Sequence, residues 1–275
     1  MPPRECASDI AEGEVENFGE PTPTRTEGIT FGFDGTLYVS ALVMDDPDQL
    51  LDVSLDGSSS VAAESESILG LATDTRGILA AAIDTGEVLL IDQSDGSVDV
   101  ITDELTAPNA LVVTAWDTIL VSDDSPGTDS IYEVTFDGEV STWVTGVPTP
   151  NGLVFSLDGS FLYVATTFEE EGLWRVPVDS EGNAGTPERW VVFEEVTFPD
   201  GVAIDSEGNV YVALNGAGRI EKVDREGNAT TLVDGIGGVA SLAFGKGDFD
   251  PCSIYATNLF GTQLWRAGAG VLGPE

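Results

Sequence analysis

The chain contains no histidine, and that single absence excludes a large part of enzyme chemistry. Ser-His-Asp and Cys-His arrangements need an imidazole as base, and the common zinc sites need it as ligand. Basic residues are scarce as well: ten Lys and Arg stand against 49 Asp and Glu, a formal net charge of −39. Lys222 and Lys246 are the only lysines. A polyanion requires a basic patch, so nucleic-acid partners are excluded. No apolar run approaches the ~18 residues that would span a bilayer, so the chain reads as soluble, without a membrane partner. The N-terminus shows no basic stretch leading into an apolar one, which fits a cytoplasmic protein or one supplied without its leader. The chemistry left is that of carboxylates, amides, hydroxyls, or a metal held by oxygen.

What is present reads as a turn-rich globular protein. Hydrophobic residues make up 41% of the 275, enough for a core, and there are 32 glycines. The acidic residues are scattered through turns and exposed strand positions, with no acidic tail. Self-repulsion of that size destabilises a compact state unless salt screens it, so a halophilic surface is preferred over a dedicated cation-binding one.

The stretch Thr149–Thr167 reads as two strands around an Asp158-Gly159 turn, with Leu153, Phe155, Phe161 and Tyr163 marking period-two faces. The pattern recurs at 26–40, 69–79, 108–122, 199–213 and 239–257. The corresponding small or apolar positions are Gly28, Gly70, Ala110, Gly152, Gly201 and Leu242, separated by 42, 40, 42, 49 and 41 residues. Each unit adds a second hairpin, such as 86–101 or 218–233. A repeat of ~40–50 residues with four strands indicates a β-propeller blade. The fold expected is all-β, a six-bladed propeller.

After Val239 only three strand-like pieces remain, at 239–245, 253–258 and 263–266. The N-terminal piece 14–19 can supply the missing fourth and close the ring, sparing an exposed edge. The organisation expected is an irregular segment over 1–13, one propeller over 14–268 and a tail over 269–275. Cys6 and Cys252 are either two unrelated thiols or a bridge stapling that closure; spacing alone leaves both open.

Residues at the start of each blade's first strand converge on one mouth of the channel. The positions before the repeat glycine are Glu27, Leu69, Asn109, Asn151, Asp200 and, by a looser alignment, Ser241. Asn or Asp before Gly is ordinary turn chemistry. Two carboxylates and two amides in one register suit a hard cation such as Ca2+, with waters completing a shell of ~6–8 oxygens. Zinc is disfavoured, and Leu69 leaves one wall apolar. Asp123, Thr166, Asn215 and Asn258, after the second strands, read as turn or rim residues.

On Glu27-Gly28, Asn151-Gly152-Leu153, Ser156-Leu-Asp-Gly159, Leu162-Tyr-Val164, Pro199-Asp-Gly-Val202 and Gly208-Asn-Val-Tyr-Val212, the chain resembles the senescence-marker-protein, gluconolactonase and luciferin-regenerating-enzyme family of six-bladed propellers. The resemblance covers roughly residues 14–268. It implies one divalent cation, commonly Ca2+ rather than Mg2+, Mn2+ or Zn2+, held by Glu27, Asn109, Asn151 and Asp200. It also implies hydrolysis of lactones or related esters, with the metal polarising the carbonyl and Asp200 acting as base or nucleophile. The arginine that aldonolactone-cleaving relatives carry shortly before the third-blade Asn is absent, since Thr106-Ala-Pro-Asn109 stands there. A non-catalytic ligand- or protein-binding propeller with a structural cation is the alternative, as is a related ring of strictosidine-synthase type. A small-molecule substrate, a monomer and an extracellular location are the remaining expectations, with a halophile's cytoplasm compatible with the same charge.

Overall fold

The computed structural model describes residues 6–193 and 196–274, so the start of the expected 1–13 segment and Glu275 lie outside the described residues. Six sheets of four antiparallel strands follow one another in sequence, and each inner strand packs against the next around a ring. The chain is an all-β, six-bladed propeller, and no helix occurs among the described residues. The inner strands are Thr26–Phe31, Leu71–Asp74, Pro108–Val113, Pro150–Phe155, Pro199–Ile204 and Val239–Phe244. The last blade takes its outermost strand, Val15–Phe18, from the N-terminus, paired antiparallel with Leu264–Gly268. Cys6 and Cys252 are brought together beside that closure, their Cα atoms 5.8 Å apart, as in a disulfide.

The core lies between blades. The second strands are buried on both faces, as in Gly77–Ala82 and Val210–Leu214, while the outermost strands are half exposed. Continuous apolar runs therefore mark second strands, and Phe161–Thr166 is buried on both faces where Phe161 and Tyr163 suggest a period-two face.

Near the axis there is little room. A Cβ on Gly152 would press into the carbonyl of Asp200 and come within 2.9 Å of Gly201 Cα and Val202 N. Gly28 stands in the same way against Leu69, Gly70 against Asn109, and Gly201 against Ala240 and Ser241. At these four positions glycine is therefore a packing requirement of the ring, because the blade presses on its neighbour's backbone.

The Asp158-Gly159 pair is not a two-residue turn. The strands end at Phe155 and resume at Phe161, Gly159 has φ 69°, and Asp158 accepts from Ser156 Oγ, Ser160 N and Ser160 Oγ. The Ser160 hydroxyl first, then that of Ser156, pulls this carboxyl down to about 2. Asp179-Ser-Glu-Gly-Asn183, Asp205-Ser-Glu-Gly-Asn209 and Asp224-Arg-Glu-Gly-Asn228 use a related device, with Asp three residues before the glycine and accepting the amides two and four residues on. Part of the acidic excess is thus hairpin chemistry.

Candidate active site at the channel mouth

Five of the six inner strands carry a bulge two residues wide at their start, between Thr26 and Ile29, Pro108 and Leu111, Pro150 and Leu153, Pro199 and Val202, and Val239 and Leu242. A bulge re-aims side chains where the ladder is interrupted. The first bulge residue in each is Glu27, Asn109, Asn151, Asp200 and Ala240, and Leu69 fills the place in the second blade. This corrects the sixth blade. Ser241 occupies the glycine position, since its amide donates to Thr257 Oγ1 at 2.9 Å as Gly28 N donates to Ser40 Oγ and Ala110 N to Ser122 Oγ. Leu242 therefore matches Ile29 and Leu111 rather than the repeat glycine, and Ala240, which has no side-chain oxygen, matches Glu27.

Glu27, Asn109, Asn151 and Asp200 are all buried. A second tier joins them from the ends of the second strands: Asp124, Thr167 and Asn215. Asn109 Nδ2 donates to Asp124 Oδ2 at 3.1 Å and Asn151 Nδ2 to the same oxygen at 3.4 Å. Asn151 also donates to Thr167 Oγ1 at 3.0 Å, and Thr167 donates to the Pro199 carbonyl at 2.8 Å. Asn215 Nδ2 donates to Asp200 Oδ2 at 3.4 Å. Asp124 and Thr167 stand one residue beyond Asp123 and Thr166, and Asn215, which the sequence presents as a turn or rim residue, bonds Asp200. Asp123, Thr166 and Asn258 do serve their own turns, bonding Ser125 N, the Glu170 carbonyl and Phe260 N.

Three carboxyl groups share this space with no basic partner among their contacts. Burial raises Glu27 to about 8, with the Asp124 charge adding to it. Burial raises Asp124 to about 7, although the Asn109 bond opposes it. Asp200 is pushed well above the ordinary carboxylate range by burial first, then by Glu27 and Asp124. Glu27 Oε2 and Asp124 Oδ1 are buried without any hydrogen-bond partner. Buried carboxylate oxygens left unpaired are costly, and a cation would relieve both the repulsion and the missing bonds. Among the described residues no three Asp, Glu, Cys or His groups form a cage by themselves. A hard ion at this mouth would therefore draw on the amide oxygens as well, and the mixed donor set fits such an ion.

Residues 46–252 match the family described as "SMP-30/Gluconolactonase/LRE-like region". The match leaves out the first inner strand and with it Glu27. Pentonolactonase XacC of Haloferax volcanii is 34% identical over 143 residues, 51% of this chain and 48% of that protein. The chain thus spans about half the length of that curated relative. A gluconolactonase of Xanthomonas campestris superposes with TM-score 0.78 at 20% identity, over 94% of this chain and 89% of its own. Regucalcin of Agrobacterium tumefaciens, described as a calcium-binding protein, superposes with TM-score 0.78 at 21% identity, over 98% of each chain.

Proposed function

Because the chain belongs to the SMP-30/gluconolactonase/LRE-like family, we propose that it is a lactonase- or esterase-type hydrolase that works with a bound divalent cation, calcium before any other. One observation carries this reading: carboxyl and amide groups from four blades are buried around one axis without a base, and two carboxylate oxygens there are unpaired. Glu27, Asn109, Asn151 and Asp200 would hold the ion, with Asp124 contributing from the second tier. All are hard oxygen donors, which favours Ca2+ over zinc. The names of the pentonolactonase and regucalcin relatives agree with this chemistry.

When bound, the ion would supply electrophilic stabilisation of the lactone carbonyl oxygen as negative charge develops on it. The protein's own groups do the rest. Asn215 bonds the Asp200 carboxylate and orients it. Asp200 takes the proton of the attacking water as the new C–O bond forms. The ring C–O bond then breaks and the proton passes to the released ring oxygen, giving a hydroxy acid. Asn109 and Asn151 keep Asp124 in place, and Leu69 and Ala240 close part of the wall with apolar surface.

The test is a panel of lactones and aryl esters assayed in concentrated KCl, with and without chelator, for the native protein and Asp200→Ala. Turnover that falls about a hundredfold or more in both arms is the expected result. Calcium binding with no turnover on any member of the panel would instead favour a binding propeller.

A further inference from the structure

Large exposed apolar side chains gather on the end of the ring where the site opens. Phe168 is 51% exposed, Phe198 39% and Phe260 73%. Phe168 directly follows Thr167, whose hydroxyl bonds both Asn151 and the Pro199 carbonyl. Phe198 stands two residues before Asp200, and its ring lies 6.3 Å from that of Phe168. Phe260 follows Asn258 on the same end, and its amide donates to that side chain.

These aromatics are held, at a backbone cost. Phe198 has φ 49° and Thr149 φ 40°, and each precedes a proline, where extended backbone is preferred. Left-handed backbone at a bulky residue persists only when its surroundings impose it, and it concentrates at functional sites. The Phe198 and Thr197 amides both donate to Glu171 Oε2, at 3.2 and 2.8 Å. Thr149 Oγ1 accepts from the Phe168 and Glu169 amides, both at 3.1 Å. Gly216, next to Asn215, leaves room for Phe198, whose ring a Cβ there would strike. The two prolines so introduced lead directly into Asn151 and Asp200. The same strained turns therefore set both the site residues and the two phenylalanines.

We infer that Phe168 and Phe198, with Phe260 beyond them, form a substrate subsite for an apolar substituent, so that the preferred substrate is a lactone carrying an alkyl or aryl group rather than a polyhydroxylated one. This inference rests on the hydrolase reading above. The rings offer apolar surface at the mouth, with Phe198 two residues before Asp200, and burying an alkyl chain there is favourable at each methylene. A polyhydroxylated ring would lose hydration against the same surface without finding bonds in return.

The test compares kcat/KM for unsubstituted γ-butyrolactone, its γ-hexyl derivative and a pentono-1,4-lactone, in concentrated KCl with Ca2+. The hexyl compound is expected to exceed both others by about tenfold to a hundredfold. The ratio of hexyl to unsubstituted kcat/KM should fall about tenfold in the Phe168→Ala/Phe198→Ala double variant, largely through KM. Leucine at both positions should retain most of it, and Phe33→Ala, on the opposite end of the ring, should not change it. A pentonolactone cleaved as well as the hexyl compound, or a ratio unmoved by the alanine pair, overturns the inference and leaves the hydrolase reading standing. If no lactone is cleaved, the hydrolase reading falls, and calorimetric binding of γ-hexyl-pyrrolidinone decides the subsite. Binding about tenfold weaker in the alanine pair sustains it, and no binding by the native protein refutes it.

Discussion

Replacing Gly152 with alanine tests the ring's geometry and its site together. The added Cβ would be driven into the Asp200 carbonyl, with Gly201 Cα and Val202 N each 2.9 Å away. All three atoms are backbone, so no side chain can swing aside; two inner strands must separate, by roughly 1 Å. Overpacking of this kind costs about 3 kcal/mol. Unfolding entropy of about 2.1 cal/mol/K per residue gives roughly 0.6 kcal/mol/K for the chain, so the melting temperature should fall by about 5 °C. Gly237→Ala is the control, since nothing lies within 4 Å of its Cβ and its φ is not in the left-handed region. Calorimetry in concentrated KCl measures both. Because the atom displaced belongs to Asp200, Gly152→Ala should also weaken Ca2+ binding in titration, which a generic stability loss at Gly237 would not do. A Gly152→Ala protein melting within about 1 °C of the native one would show that the inner strands are not packed as described.

Other consequences are open to measurement. With a formal charge of −39, the melting temperature should climb as KCl rises from about 0.1 M to about 2 M, because the screening length shrinks from about 10 Å to under 3 Å; a flat profile would contradict the halophilic reading. Burial pushes Asp250 up, yet bonds from Ser253, Ser8, the Cys252 amide and Arg266 outweigh it and hold the carboxyl at about 2. Its folded value is thus depressed, so its contribution is complete above the ordinary value of 3.8 and disappears as pH falls through about 2. Asp250→Asn should flatten acid denaturation in that window. Reducing the Cys6–Cys252 bridge, which spans 246 residues, should cost about 3 kcal/mol or more, seen as a lower denaturant midpoint.

The architecture was legible because the packing demand at the axis repeats. Four of the six blades press their inner strand against the next closely enough to leave glycine, at 28, 70, 152 and 201. With Ala110 and Ser241 in the other two blades, that position recurs at the blade period. Closure by residues 15–18 followed from counting strands, since a three-stranded last blade would have left an open edge. The Asp158-Gly159 link was legible as a turn but not in type. The strands end at Phe155 and resume at Phe161, and Asp158 bonds Ser156 and Ser160 across a longer link than the dipeptide alone implies. The sixth blade slipped by one residue because serine replaces its glycine, and an apolar leucine beside it looked like the better match.

The second tier of the site was missed for a related reason. Side chains alternate faces along a strand, so a slip of one residue turns a site residue into a turn residue. Asp123, Thr166 and Asn258 end their strands facing their own loops, while Asp124, Thr167 and Asn215 lie just past the strand ends and bond Asn109, Asn151 and Asp200. The pairing shows where the correct register lay: Ser40, Ser122 and Thr257 bond the bulge amides, and the site position is two residues beyond each. Counting from those hydroxyls gives Leu42, Asp124 and Leu259. The second tier is thus polar in blades three to five and apolar in blades one and six. Glu27 faces that polar arc with no second-tier polar partner from its own blade. An ion or a substrate carbonyl bound at this mouth would therefore lie between one isolated carboxylate and a dense polar arc, and on the proposed reading Glu27→Gln should weaken Ca2+ binding more than Asn109→Asp, which keeps an oxygen donor in place.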